Sequence, residues 1–294
     1  MLKANKIKMA QPDGMRMKHK FVGLILGTMA LLGVAQAEAQ SLAAHRAFYT
    51  LEAAKLDASS GYSSIDGKLA YELTGNACDG YSVSFRIVNN YVQTEKPSQL
   101  IDTQLATWES GDGLEMNFRQ KQFLNSAPQG EQKLDVKRPK TGADAKGVMT
   151  APKDMEFTVP GDAVFPSIHL LRLIAAAEKG QTHDVSLVYD GSDDDKTFKA
   201  VTFIGKKREA GSFAPDAANP EAAALKGMPS WPMTVSYYSQ AKDAGDTPVY
   251  QSTFNVYENG IATELLLDYG SYALKGHLTK LELLNPGACN KSAN

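Results

Sequence analysis

The sequence predicts a mainly β protein of antiparallel strands that buries one helix. Three observations predict it. At least ten segments alternate apolar and polar residues with a period of two, tight-turn dipeptides punctuate them, and a single stretch has helical signals and is apolar almost all round.

The strands come first. Leu69, Tyr71 and Leu73 share one face, as do Tyr81, Val83, Phe85 and Ile87. Leu114, Met116 and Phe118 repeat the pattern, with Glu115, Asn117 and Arg119 opposite. Val185, Leu187 and Tyr189 continue it, followed by residues 198–204, 234–238, 250–256, 261–267 and 274–283. Asp112-Gly113, Asp190-Gly191 and Asn259-Gly260 are turn pairs, because Asp and Asn tolerate and Gly favours the left-handed backbone of tight turns. Gly-rich phosphate loops and βαβ alternation are absent.

The helix spans 166–177, with Pro166 at its first position and Gly180 just past its end. Its apolar residues cover well over half its circumference and leave His169 and Arg172 on a narrow polar strip, so it must be buried; beside one curved sheet its place is the concave face or the mouth. A shorter helix is expected over 220–226, between Asn219 as cap and Gly227 as stop. Residues 125–146, rich in Gly, Pro, Lys and Asp, and 209–229, rich in Ala and Pro, read as solvated loops.

The first forty residues read as an export signal. Lys3, Lys6, Lys8, Arg16, Lys18 and Lys20 precede an apolar run over 21–34, followed by the overlapping small-x-small sites at 35–37 and 37–39. Fourteen residues fall short of the roughly 20 that span a bilayer. Met15 or Met17 as the start would give the signal an ordinary length. The domain plan is therefore a signal peptide over 1–37 and a single periplasmic domain over 38–294. Removing six basic and one acidic side chain from 31 and 33 leaves 25 and 32, a formal charge of about −7. That balance argues against nucleic acid and anionic membrane surfaces, and the mature part has no further long apolar run. Two cysteines, Cys78 and Cys289, read as a structural disulfide in an oxidising compartment. It would close some 212 residues, an upper stabilisation of about 5 kcal/mol.

Several phrases occur in a fixed order: His45-Arg46-Ala47, Cys78-Asp79-Gly80, Glu109-Ser110-Gly111-Asp112-Gly113, Phe165-Pro166-Ser167-Ile168-His169, Ser230-Trp231-Pro232, and Leu267-Asp268-Tyr269-Gly270 before Cys289. In that order, from about His45 to Cys289, the chain resembles the envelope-integrity protein B family of alphaproteobacteria, long filed as a domain of unknown function. The resemblance implies a strongly curved, open antiparallel β-barrel or spiral of about fourteen strands with a helix packed into it. It also implies a periplasmic place, paired cysteines matching Cys78 and Cys289, and a part in maintaining the envelope, with no established enzymatic activity. The architecture is similar to carriers that hold acyl chains in a half-barrel.

The chemical candidates are few. His45, His169, His183 and His277 lack neighbours at metal-ligand spacing. Asp193-Asp194-Asp195 lacks the alternation of a calcium loop, and Ser230 does not sit in a nucleophile elbow. No catalytic, metal or cofactor residue is therefore expected. His169 and Arg172, one turn apart, together with Trp108 and Trp231, are the candidate ligand or partner contacts. The expected function is non-enzymatic support of the envelope through a periplasmic protein partner. A carrier of a lipid or other hydrophobic ligand is the alternative, and a hydrolase with dispersed catalytic residues comes third. The position of the helix separates the first two: a carrier needs an open apolar cavity, a scaffold needs an exposed patch or edge.

Overall fold

The computed structural model describes residues 41–213, 219–241 and 245–287. Residues Ala39–Asn294 form one compact unit, and the expected signal peptide lies outside the described residues.

Fourteen antiparallel strands make one sheet. The first eight are β1 (His45–Leu56), β2 (Tyr62–Asn76), β3 (Gly80–Gln93), β4 (Gln99–Glu109), β5 (Glu115–Leu124), β6 (Ala127–Lys137), β7 (Ala145–Ala151) and β8 (Met155–Val159). The helix α1 (Pro166–Glu178) follows. Then come β9 (His183–Val188), β10 (Phe198–Ile204), β11 (Ser230–Ser239), β12 (Tyr250–Tyr257), β13 (Ala262–Asp268) and β14 (Tyr272–Leu283).

The strand order is β8 back to β1, then β14 back to β9. The chain thus winds outward from the centre of the sheet to one edge, crosses through α1 to the other edge, and winds back. β1 lies at the centre, pairing His45 with Leu73 of β2 and with Leu283 of β14. The crossover draws the two edges together. Val164 donates its N–H to the Leu187 carbonyl at 2.9 Å and accepts from Tyr189 N–H at 3.0 Å, forming a parallel bridge to β9.

The helix packs inside this curve. Leu173, Ile174, Ala176 and Ala177 are buried with Leu73 and Tyr81 from one side of the sheet and with Val188, Ala200, Trp231, Met233, Val235 and Val256 from the other. Strands from both halves meet one helix only if it lies on the concave side. The mainly β architecture and the helix are as the alternation predicts.

One local expectation changes. Residues 125–146 are not a loop: β6 and the start of β7 run through them. β6 begins with four exposed residues, Ala127-Pro128-Gln129-Gly130, and buries only Leu134 and Val136. A strand with so short a buried stretch shows little alternation. The short helix expected over 220–226 is present over 220–225 as a 3₁₀ helix, with Asn219 Oδ1 accepting from Glu221 N–H at 3.0 Å. Six residues anchored by buried Ala222 and Leu225 provide too few turns to favour the longer repeat.

Candidate functional site

The start of α1 is held by residues distant in sequence. Its N-cap is Phe165, which has no capping side chain. Glu109, at the end of β4 and 1% exposed, takes that role: its Oε2 accepts from Ser167 N–H at 2.8 Å, and the Ser167 hydroxyl adds a second bond. An anion at a helix N-terminus satisfies free N–H groups and complements the helix dipole. Burial nevertheless pushes Glu109 up to about 7, with the Ser167 bonds opposing. Arg138, after β6, fixes the crossover before the helix. It donates to the carbonyls of Gly161 at 3.0 Å and Ala163 at 2.9 Å and lies 4.9 Å over the Phe165 ring.

The residues singled out from sequence fall into different places. His169 is buried in the first turn of α1, and its Nε2 has no hydrogen-bond partner. Burial lowers it to about 4, so the ring is neutral at neutral pH. Arg172 does not reach toward a ligand with it; its Nε is engaged by Asp184 of β9 at 2.9 Å, whose other oxygen accepts from Ser186 at 2.5 Å. Trp231 is a wall of the helix core, 2% exposed. Trp108 covers the backbone of Gly80 in the β2–β3 turn. The four residues do not converge on one site. Cys78 lies in the same turn, and Cys289, its expected partner, lies outside the described residues. Asn76 orders this turn by accepting from Cys78 N–H at 2.8 Å, and its Nδ2 holds the Pro286 carbonyl at 3.0 Å.

Tyr62, Tyr91, Tyr272, Tyr269, Tyr250, Tyr237 and Phe198 form an unbroken arc of ring contacts, with neighbouring centroids 4.9–6.4 Å apart. At one end of the arc a cavity of about 290 Å³ is lined by Phe198, Tyr237, Tyr250, Tyr269, Val249, Asp190 and Ser192. Asp190 and Tyr237 also line a smaller cavity of about 180 Å³, between α1 and strands β9, β11 and β12, which His169 faces. A third concavity, about 660 Å³, lies on the outer face of β1–β4, floored by Phe48, Ala70, Val88 and Leu100 and edged by Lys68 and Arg86. Among the described residues no group of three His, Cys, Asp or Glu is placed to hold a metal, and no helix is long and apolar enough to cross a membrane.

These features sit on a fold with known relatives. A family model described as EipB-like matches residues 36–285. The chain belongs to the EipB-like family. Within it, the cell envelope integrity protein EipB of Brucella abortus is 32% identical over 253 residues, covering 85% of this chain and 88% of that protein. A crystal structure of a β-barrel-like protein of a domain of unknown function, also from Brucella abortus, superposes with a TM-score of 0.76 at 30% identity. It covers 83% of this chain and 99% of that one. The EipB-like resemblance and the open fourteen-stranded fold expected from it are therefore both met.

Proposed function

We propose that this EipB-like protein supports the integrity of the cell envelope from the periplasm, without catalysis, as a scaffold for a protein partner. The observation that carries the reading is the plugged interior. Where an acyl carrier keeps an open apolar hollow, α1 occupies the concavity with fully buried Leu173 and Ile174. The 180 Å³ left beneath it has room for a short apolar arm but not for an acyl chain, and is on its own below the roughly 300–1,000 Å³ typical of ligand sites. The outer groove on β1–β4 offers the partner an apolar floor with charged edges.

The test is genetic and physical. Deleting the gene in its host should sensitise the cells to detergent, and the wild-type chain should restore resistance. Val88→Glu, which charges the groove floor, should fold with an unchanged melting temperature yet fail to restore it. Unchanged sensitivity after deletion would remove the envelope role, and full rescue by Val88→Glu would remove the groove. Native mass spectrometry of protein extracted without detergent addresses the alternative. A co-purifying lipid would replace the scaffold by a carrier.

A further inference from the structure

We infer that the aromatic box at the mouth of the barrel binds an organic ammonium ion, ringed by Phe198, Tyr237, Tyr250 and Tyr269 and countered by Asp190. This site is separate from the outer groove and does not depend on the partner reading.

The box has the chemistry of a cation receptor. Tyr237 and Tyr250 stack at 5.7 Å and 24°, Tyr250 and Tyr269 meet at 5.1 Å and 39°, and Phe198 stands edge-on to Tyr237 at 6.4 Å and 90°. All four border the 290 Å³ cavity, and no Lys, Arg or His lines it. Ring faces attract ammonium groups through their quadrupoles, most strongly where water is displaced. Such a cluster without a charge would serve any apolar group; Asp190 makes it selective. Its Oδ1 is fixed by Ser192 N–H at 2.9 Å and by the Ser192 hydroxyl at 2.7 Å. No Lys or Arg pairs with it among the described residues. Burial raises its pKa, as expected of a carboxylate lacking a cation.

The inner cavity refines the ligand class. It shares Asp190 and Tyr237 with the box and is lined further by Pro166, Leu170, Leu173, Val188, Val235, Phe254 and His169. A buried imidazole nitrogen without a partner is costly and awaits a hydrogen bond. The ligand is therefore a small amphiphilic cation: an alkylammonium head in the box and a short apolar arm ending in a hydroxyl or carbonyl at His169 Nε2. Free amines and ammonium lipid headgroups both carry this head.

Calorimetric titration with choline tests it. Saturable binding is expected, with at least a tenfold loss for Asp190→Asn, whose amide oxygen retains the Ser192 bonds, and for Tyr250→Leu. The neutral isostere of choline, with a tert-butyl group in place of trimethylammonium, needs no variant and should bind at least tenfold more weakly. Co-sedimentation with phosphatidylcholine vesicles separates the sources. Binding to choline and vesicles assigns a lipid headgroup, and binding to choline alone assigns a free cation. Absence of saturable choline binding, or equal binding of the neutral isostere, would overturn the inference.

Discussion

Glu109 and His169 are buried at the same end of α1, and their titrations oppose each other. Glu109 rises from an ordinary 4.5 to about 7. Its folded form holds a proton that the unfolded form has lost, so stability falls as pH rises from 4.5 to 7, by about 3 kcal/mol in full. His169 falls from 6.5 to about 4. Here the unfolded form takes the extra proton, so stability is lost as pH falls from 6.5 to 4, by a similar about 3 kcal/mol. The two slopes nearly cancel in the wild type. Glu109→Gln should therefore gain stability over the wild type progressively between pH 4.5 and 7, and His169→Gln should gain it below pH 6.5; melting curves across pH 4–8 measure both. Gly67 carries a steric prediction. A Cβ there would lie 2.0 Å from Asn89 Oδ1 and 2.6 Å from the Val88 carbonyl. Gly67→Ala should cost about 1–3 kcal/mol in urea unfolding, with an unchanged m-value. Of these residues only His169 was legible in the sequence, as a polar break in an apolar helix. Glu109 looks like the end of a strand, and Arg138 sits in a stretch whose composition resembles a loop. Their roles come from contacts 58 and 25 residues away in sequence, which no local pattern encodes.

At the scale of elements, α1 was legible because its signals are local: Pro166 at the start, Gly180 past the end, and apolar residues all round. Its depth follows from that composition, and its consequence can be measured. Ile174 is fully buried between the two halves of the sheet. Ile174→Ala should cost about 2–5 kcal/mol, read as a shift of the urea midpoint, because neighbours pinned in a sheet cannot collapse into the space. β6 was not legible, since its first four residues are exposed, only two of its residues are buried, and its Gly and Pro mimic a loop. The aromatic arc shows a further limit. Apart from Tyr269, which lies in the β13–β14 turn, each ring occupies an ordinary position on its strand, and only the registers Tyr237↔Tyr250 and β1↔β14 bring rings from six strands into one row.

For the whole molecule, the sequence reveals a curved β fold but not the order in which strands adjoin. That order follows from β1 finding β14 across more than two hundred residues. The expected bridge from Cys78 to Cys289 would fasten the same junction, where Pro286 already meets Asn76. Reduction should lower the melting temperature by several degrees, and coincident melting of oxidised and reduced protein would deny the bridge that role. The winding also dictates an order of assembly. Hairpins β1 to β8 can zip locally as each strand meets the last, but β1 keeps a bare edge in the middle of the unfinished sheet until β14 arrives. Closure over so long a loop belongs to the slow, millisecond-to-second class of folding reactions. A chain cut before Tyr272 is thus not a slightly smaller barrel. It exposes two unpaired strands at its centre, with the walls around the helix half built, and the expected result is aggregation.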